Sequence, residues 1–413
     1  MDLLNTITVL VCLSALFGYL NYRLLGLPTK IGLMVIALAM SLVLVSLNSL
    51  GVSIANEAQA FVKGIDFNLA LMQGMLSFLL FAGALHVNLD DLFEQRWIVA
   101  ILASAGVVSS TFIVGTLSYY LFASLSLELR YIDCLLFGAL ISPTDPIAVV
   151  SILKLSKTPK SIETKITGES LFNDGVGIVV FLVLLDIAIS GKFSPIGVAV
   201  LFASEAIGGI VIGLAIGYVA YRMLRSTDQY EVEILITLAL VMGGFALASS
   251  LHASGPIAVV VAGLMIGNHG RRFAMSDVTR TRLDSFWELT DEMLNAILFV
   301  LIGLELVAVS LQLEYLQAIL IAIPIVLFSR FITVGLPIQL LSLFREFSKH
   351  ATLILTWGGL RGGISFALAL SLPTGEARDT ILTITYGIVA FSIIVQGLTL
   401  GRLVQNALAQ EGN

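Results

Sequence analysis

The 413-residue chain is 58% hydrophobic and only 12% charged, with a formal net charge of −6. Soluble domains carry about a quarter of their residues charged, so the composition argues against a water-soluble fold, and the acidic balance argues against a nucleic-acid partner. Cys12 and Cys134 sit in or beside apolar runs without metal-ligand spacing and read as small apolar residues.

Runs of roughly twenty apolar residues match the thickness of a hydrocarbon core. They fall near residues 3–22, 31–48, 68–87, 97–123, 132–153, 168–190, 195–221, 232–251, 254–268, 287–309, 314–343, 350–372 and 380–404. The expectation is an all-α membrane protein of about thirteen spans, with residues 1–413 forming one transmembrane domain. The start, Met1-Asp2-Leu3, lacks the basic stretch of a cleaved signal, so the first run is expected to remain a span. Sixteen Lys and Arg fall in loops on the side of the C-terminus, and four, Lys63, Arg130, Lys192 and Arg378, on the other. By the positive-inside rule the N-terminus lies outside and the C-terminus in the cytoplasm, in a multi-pass protein of the cell inner membrane.

An ionised side chain at the bilayer centre costs about 2.5–3.5 kcal/mol, so those that occur there point to function. The fifth span carries Ser142-Pro143-Thr144-Asp145-Pro146 at its middle. Two prolines remove amide donors and should unwind the helix, and unwound backbone in a membrane is tolerated where it lines a cavity. Freed carbonyls, the Thr144 hydroxyl and the Asp145 carboxylate are hard oxygen donors suited to a small hard cation. The competing reading is a proline kink with Asp145 capping the next half-helix; the two roles are compatible.

The sixth span opens Gly168-Glu169-Ser170-Leu171-Phe172-Asn173-Asp174. Residues four apart share a helix face, so Ser170 stacks with Asp174 toward the fifth span, and Glu169 with Asn173 on the neighbouring stripe. The alternative is a polar helix end in water. In the seventh span Gly209, Gly213 and Gly217 form a double GxxxG, a close-packing signature. His252, between the eighth and ninth spans, is a candidate for pH modulation, although an ordinary loop histidine is the simpler reading. Asp186, Glu205, Glu233, Asp291 and Glu292 read first as span-end acids and second as the lining of a funnel. The eleventh span carries Arg330, whose partner the sequence does not identify. The twelfth carries Trp357-Gly358-Gly359-Leu360-Arg361-Gly362-Gly363, an arginine among glycines that permit a broken, closely crossed backbone. Arg361 needs a carboxylate, and Glu169 is the expected one, because Asp145 and Asp174 are better used on an ion.

With the seventh span as linker, spans 1–6 and 8–13 form two inverted six-helix repeats, and the broken fifth and twelfth spans occupy equivalent places. That arrangement points to a transporter site. Two carboxylates close together in a low-dielectric site resist ionising together and titrate as a pair. Such a site holds a proton or a cation but not both, and if the empty site cannot cross, the two fluxes are coupled by alternating access.

At Ser142–Pro146, Gly168–Gly175, Leu251–Asn268 and Trp357–Gly363 the sequence resembles the monovalent cation:proton antiporters, specifically the NhaP branch of prokaryotic sodium/proton antiporters. The likeness extends over essentially the whole chain. It implies a homodimer with a dimerisation part and a six-helix core. It also implies Na+ (or Li+) contacts from Thr144, Asp145, Ser170 and Asp174, a Glu169–Arg361 pair with Asn173 nearby, and electroneutral exchange with H+. Related chains often carry an acid in the third span where this one has Ala82, within Leu80-Phe81-Ala82-Gly83. No cofactor is expected. The competing readings are potassium/proton or lithium/proton exchange, a cation channel, an intramembrane aspartyl protease and a non-transporting scaffold.

Overall fold

The computed structural model describes residues 3–49, 74–145, 149, 160–305, 313–343 and 350–411. Every regular element among them is helical. In chain order the principal helices are α1 (Leu3–Leu20), α2 (Thr29–Ser49), α3 (Leu76–Leu85), α4 (Arg96–Ser124), α5 (Tyr131–Ile141) and α6 (Lys160–Ser190). They continue with α7 (Pro195–Arg225), α8 (Tyr230–Ser250), α9 (Gly255–Met265), α10 (Asp277–Leu304) and α11 (Leu313–Leu341). The series ends with α12 (Ala351–Trp357), α13 (Gly363–Leu370) and α14 (Glu376–Ala407). Eight helices among the described residues are long and apolar enough to cross a membrane; α3 and α5 are shorter apolar helices. Residues 68–73 of the third expected span lie outside the described residues. So does the half-span expected after Asp145, with Pro146, apart from Val149, and so do the basic loop residues Lys63, Lys154, Lys157, Arg345 and Lys349.

Local chemistry sets several helix starts. The Ser194 hydroxyl accepts from Gly197 N–H ahead of α7, which opens on Pro195, and Ser254 accepts from Ile257 N–H ahead of α9. Ser276 accepts from Thr279 N–H and starts α10 ten residues before the apolar run at 287. Hydropathy marks only the stretch inside lipid, so it missed this polar extension with Asp277, Arg280 and Asp284. The same holds for α6, which starts at Lys160 rather than near 168.

The helices pack in two groups. In one, α4, α5, α6, α11, α12, α13 and α14 contact one another; in the other, α1, α2, α3, α7, α8, α9 and α10 do so. The α7 glycines serve the close packing expected of them. A Cβ on Gly213 would lie 2.5 Å from Ala258 O and 2.9 Å from Val261 Cβ on α9. Between the groups lies a cavity of about 490 Å³. Its mouth is marked by Lys30, His86, Thr167 and Asp284, and its floor by Leu76, Leu298 and Ser365. Next to that floor, Met75 just before α3, Phe299 on α10 and Phe366 on α13 belong to one buried apolar cluster with Phe17, Met34 and Tyr386. Apolar packing contributed from both groups thus adjoins the cavity.

Candidate ion site

The site grows out of two breaks in the helices. Helix α5 stops at Ile141, one residue before Ser142, whose hydroxyl bonds back to Gly138 O at 2.6 Å. Pro143 has no amide hydrogen with which to continue the helix, and Pro143–Asp145 run without helical bonding. The second break, between Trp357 and Gly363, separates α12 from α13. The breaks meet: Asp145 N–H donates to Leu360 O at 2.7 Å. Glycine is what lets the backbones approach. A Cβ on Gly362 would lie 2.7 Å from Asp145 Cβ, and one on Gly359 would lie 2.7 Å from Arg330 Nε.

Helix α6 supplies the rest. Asn173 Oδ1 accepts from Thr144 N–H at 3.2 Å, and its Nδ2 donates to Thr144 Oγ1 at 2.8 Å. Thr144 Oγ1 and Ser170 Oγ lie 2.9 Å apart. Asn173 therefore satisfies an amide that the break left without a helical partner, a group whose loss costs about 1–3 kcal/mol when buried. Thr144, Asp145 and Asp174 line the cavity, while Ser170 and Asn173 stand behind Thr144. Asp174 is buried and Asp145 half-buried, and the two carboxylates act on each other electrostatically.

The expected Glu169–Arg361 pair is corrected by the geometry. Glu169 is held by Arg330 of α11: Arg330 Nη2 donates to Glu169 Oε2 at 2.8 Å, and Nη1 donates to Oε1. A third bond runs from Nη2 to Leu355 O at 3.4 Å. Both side chains are buried, at 1% and 7% exposure. Arg361 instead donates from Nη1 to Ser142 O at 2.5 Å and Pro143 O at 2.9 Å. Those carbonyls were freed by the α5 break and lie at the negative end of its helix dipole, which stabilises a cation there. Ser392 of α14 anchors the same residue, its Oγ accepting from Arg361 N–H at 2.8 Å.

His252 lies in the turn before α9 with φ +54°, exposed and away from the cavity lining. Ala82 does line the cavity, and no acid replaces it on α3. Sequence reasoning missed Lys30, His86, Asp284 and Glu288, which line the mouth together with Asp291 and Glu292. The signal was present for the acids: 284, 288, 291 and 292 share one helical face. Among the described residues no three His, Cys, Asp or Glu side chains cluster as a metal centre. The donors that line the cavity beside the breaks are two carboxylates and a hydroxyl, a set that suits an alkali cation as cargo.

Residues 12–406 match the family model described as "Sodium/hydrogen exchanger, transmembrane". The chain is 50% identical to the Na(+)/H(+) antiporter NhaP of Pseudomonas aeruginosa, covering 98% of this chain and 97% of that protein. It is 36% identical to the Na(+)/H(+) antiporter NhaH of Halobacillus dabanensis over 93% of each. Its fold is similar to that of the sodium proton antiporter MjNhaP1 from Methanocaldococcus jannaschii at pH 8, with a TM-score of 0.75 and 21% identity over 99% of this chain and 100% of that one.

Proposed function

Because the chain belongs to the sodium/hydrogen exchanger family, we propose that it exchanges Na+ for H+ across a membrane, with the cation and the proton competing for Asp145 and Asp174. The observation that carries this reading is the convergence of both aspartates, with Thr144, on one cavity beside two crossed helix breaks. A sodium ion entering from the mouth meets Asp145, Asp174 and the Thr144 hydroxyl, which keeps one lone pair for the ion by donating to Ser170 while accepting from Asn173. Ser170 and Asn173 hold that hydroxyl in place. Two carboxylates that repel each other in one site take up either one cation or one proton.

The site then carries the same net charge in both loaded forms, and this equality is the physical basis for electroneutral, one-for-one exchange. Asn173 contributes no further charge beside Asp174. The group of helices around the breaks forms the transport core, and it rocks against the other group so that the cavity opens on each side in turn. The apolar cluster at the floor supports reading the present conformation as open to one side only. The basic loops support a cytoplasmic mouth, with the N-terminus outside in a thirteen-span, twice-repeated topology of the inner membrane. Lithium fits the same donors, and the family likeness supports assembly as a homodimer.

The test is proton movement in sealed proteoliposomes bearing a pH gradient, with the voltage clamped, on adding sodium, lithium or potassium. Sodium and lithium are expected to collapse the gradient at a rate indifferent to the imposed voltage. A response to potassium alone would overturn the substrate, a voltage-dependent rate would overturn the stoichiometry, and no response to any cation would overturn antiport.

A further inference from the structure

His86, the residue that follows α3, lines the same cavity as the two aspartates. Its Nδ1 lies 2.8 Å from Ala82 O. A carbonyl only accepts, so Nδ1 carries the hydrogen and Nε2 is the basic nitrogen of the neutral ring. The side chain is exposed within the cavity. The charged groups around the same space are Lys30 from α2; Asp284, Glu288, Asp291 and Glu292 from α10; Asp174 from α6; and Asp145 from the α5 break. Helices α8 and α9, which also contact α3, add no charged group to the lining, and His269 after α9 lies against Phe273 instead. Lys30 is engaged with Asp291 at 3.7 Å. Among these groups only histidine ordinarily changes charge near neutral pH.

We propose that His86 sets the affinity of this cavity for cations, admitting them as a neutral ring and opposing them as an imidazolium. The inference rests on the reading that Asp145 and Asp174 hold the cation. The proton that reaches Nε2 comes from water at the mouth and returns there, so the step needs no other reactant. Lys30 is paired with Asp291, and Arg271, after α9, with Asp284, so with the ring neutral Glu288, Glu292 and the two site aspartates remain to draw cations in. With the ring charged, a further positive charge, next to Asp291, lines the cavity. A unit charge roughly 10 Å from a cation weakens its binding by about threefold to tenfold in a partly hydrated site. The Ala82 carbonyl holds the ring in place in both forms, because Nδ1 donates in each.

The experiment is a sodium titration of the purified full-length protein, read as protection against heat unfolding. It is made at about pH 5.5 and about pH 8.5, on either side of the range in which histidines ordinarily change charge. His86→Gln is expected to bind sodium about threefold to tenfold more tightly than the native chain at the lower pH and equally at the higher. His86→Lys is expected to match the native chain at the lower pH and to bind about threefold to tenfold more weakly at the higher. Two variants that match the native chain at both pH values, or that shift together in one direction at both, overturn the inference; the second pattern is that of a structural role. Proton flux in vesicles, run alongside, separates the two readings. Sodium binding with this pattern but no flux sinks antiport and leaves His86 standing. Flux without the pattern sinks His86 alone, and absence of sodium binding sinks both.

Discussion

Asp174→Asn is expected to reduce sodium-driven proton movement in vesicles to the level of protein-free liposomes. The amide matches the carboxylate in size, so the buried position beside the α5 break is filled and the fold is kept. What disappears is the charge. The carboxylate pair that must choose between a proton and a cation no longer exists. The amide also cannot take up or release a proton in this range. Gel filtration of the variant checks that it is folded. Flux above about a tenth of the native rate, roughly 1.4 kcal/mol in the barrier, would show that Asp174 is not where the two ions compete.

The largest expected loss of stability comes from Arg330→Met. The change leaves Glu169, 1% exposed, as a buried charge without its bidentate partner. Removing one member of such a pair costs about 3–5 kcal/mol, because the remaining ion keeps its desolvation penalty and loses its compensation. A clear fall in the heat-denaturation midpoint is expected, together with a lower yield of monodisperse protein. The double variant Glu169→Gln with Arg330→Met should recover much of the loss, since neither side chain is then ionised. If Arg330→Met is as stable as the native chain, the pair does not tie α11 to α6 in the way its geometry indicates.

The features written into local chemistry were legible in the sequence. Pro143 and the glycines between 358 and 363 announced both helix breaks, because a missing amide or a missing Cβ acts on the backbone wherever the segment lies. The four-residue stagger of Ser170 and Asp174 placed both on the side of α6 toward the fifth span. The structure puts Ser170 on Thr144 and turns Asp174 into the cavity.

What depended on the crossing of distant helices was not legible. Glu169 had two buried arginines to choose from, and charge alone did not favour either. The choice was made by the freed carbonyls of Ser142 and Pro143, which take Arg361 and leave Arg330 for Glu169. Helix α10 begins before its apolar run, so hydropathy cut off the turns that carry Asp284. His86 was passed over, since nothing in its neighbours along the chain places Lys30 and Asp291 around the same cavity.

The central claim is that sodium and the proton occupy one site in turn. The apparent KM for sodium, measured across a series of pH values in proteoliposomes, tests it most directly. Competition for the aspartate pair predicts that KM rises by about tenfold for each unit of acidification on the acid limb, while the maximal rate at saturating sodium stays level. A KM indifferent to pH, with the pH dependence confined to the maximal rate, would mean that the proton acts elsewhere and would contradict the shared site.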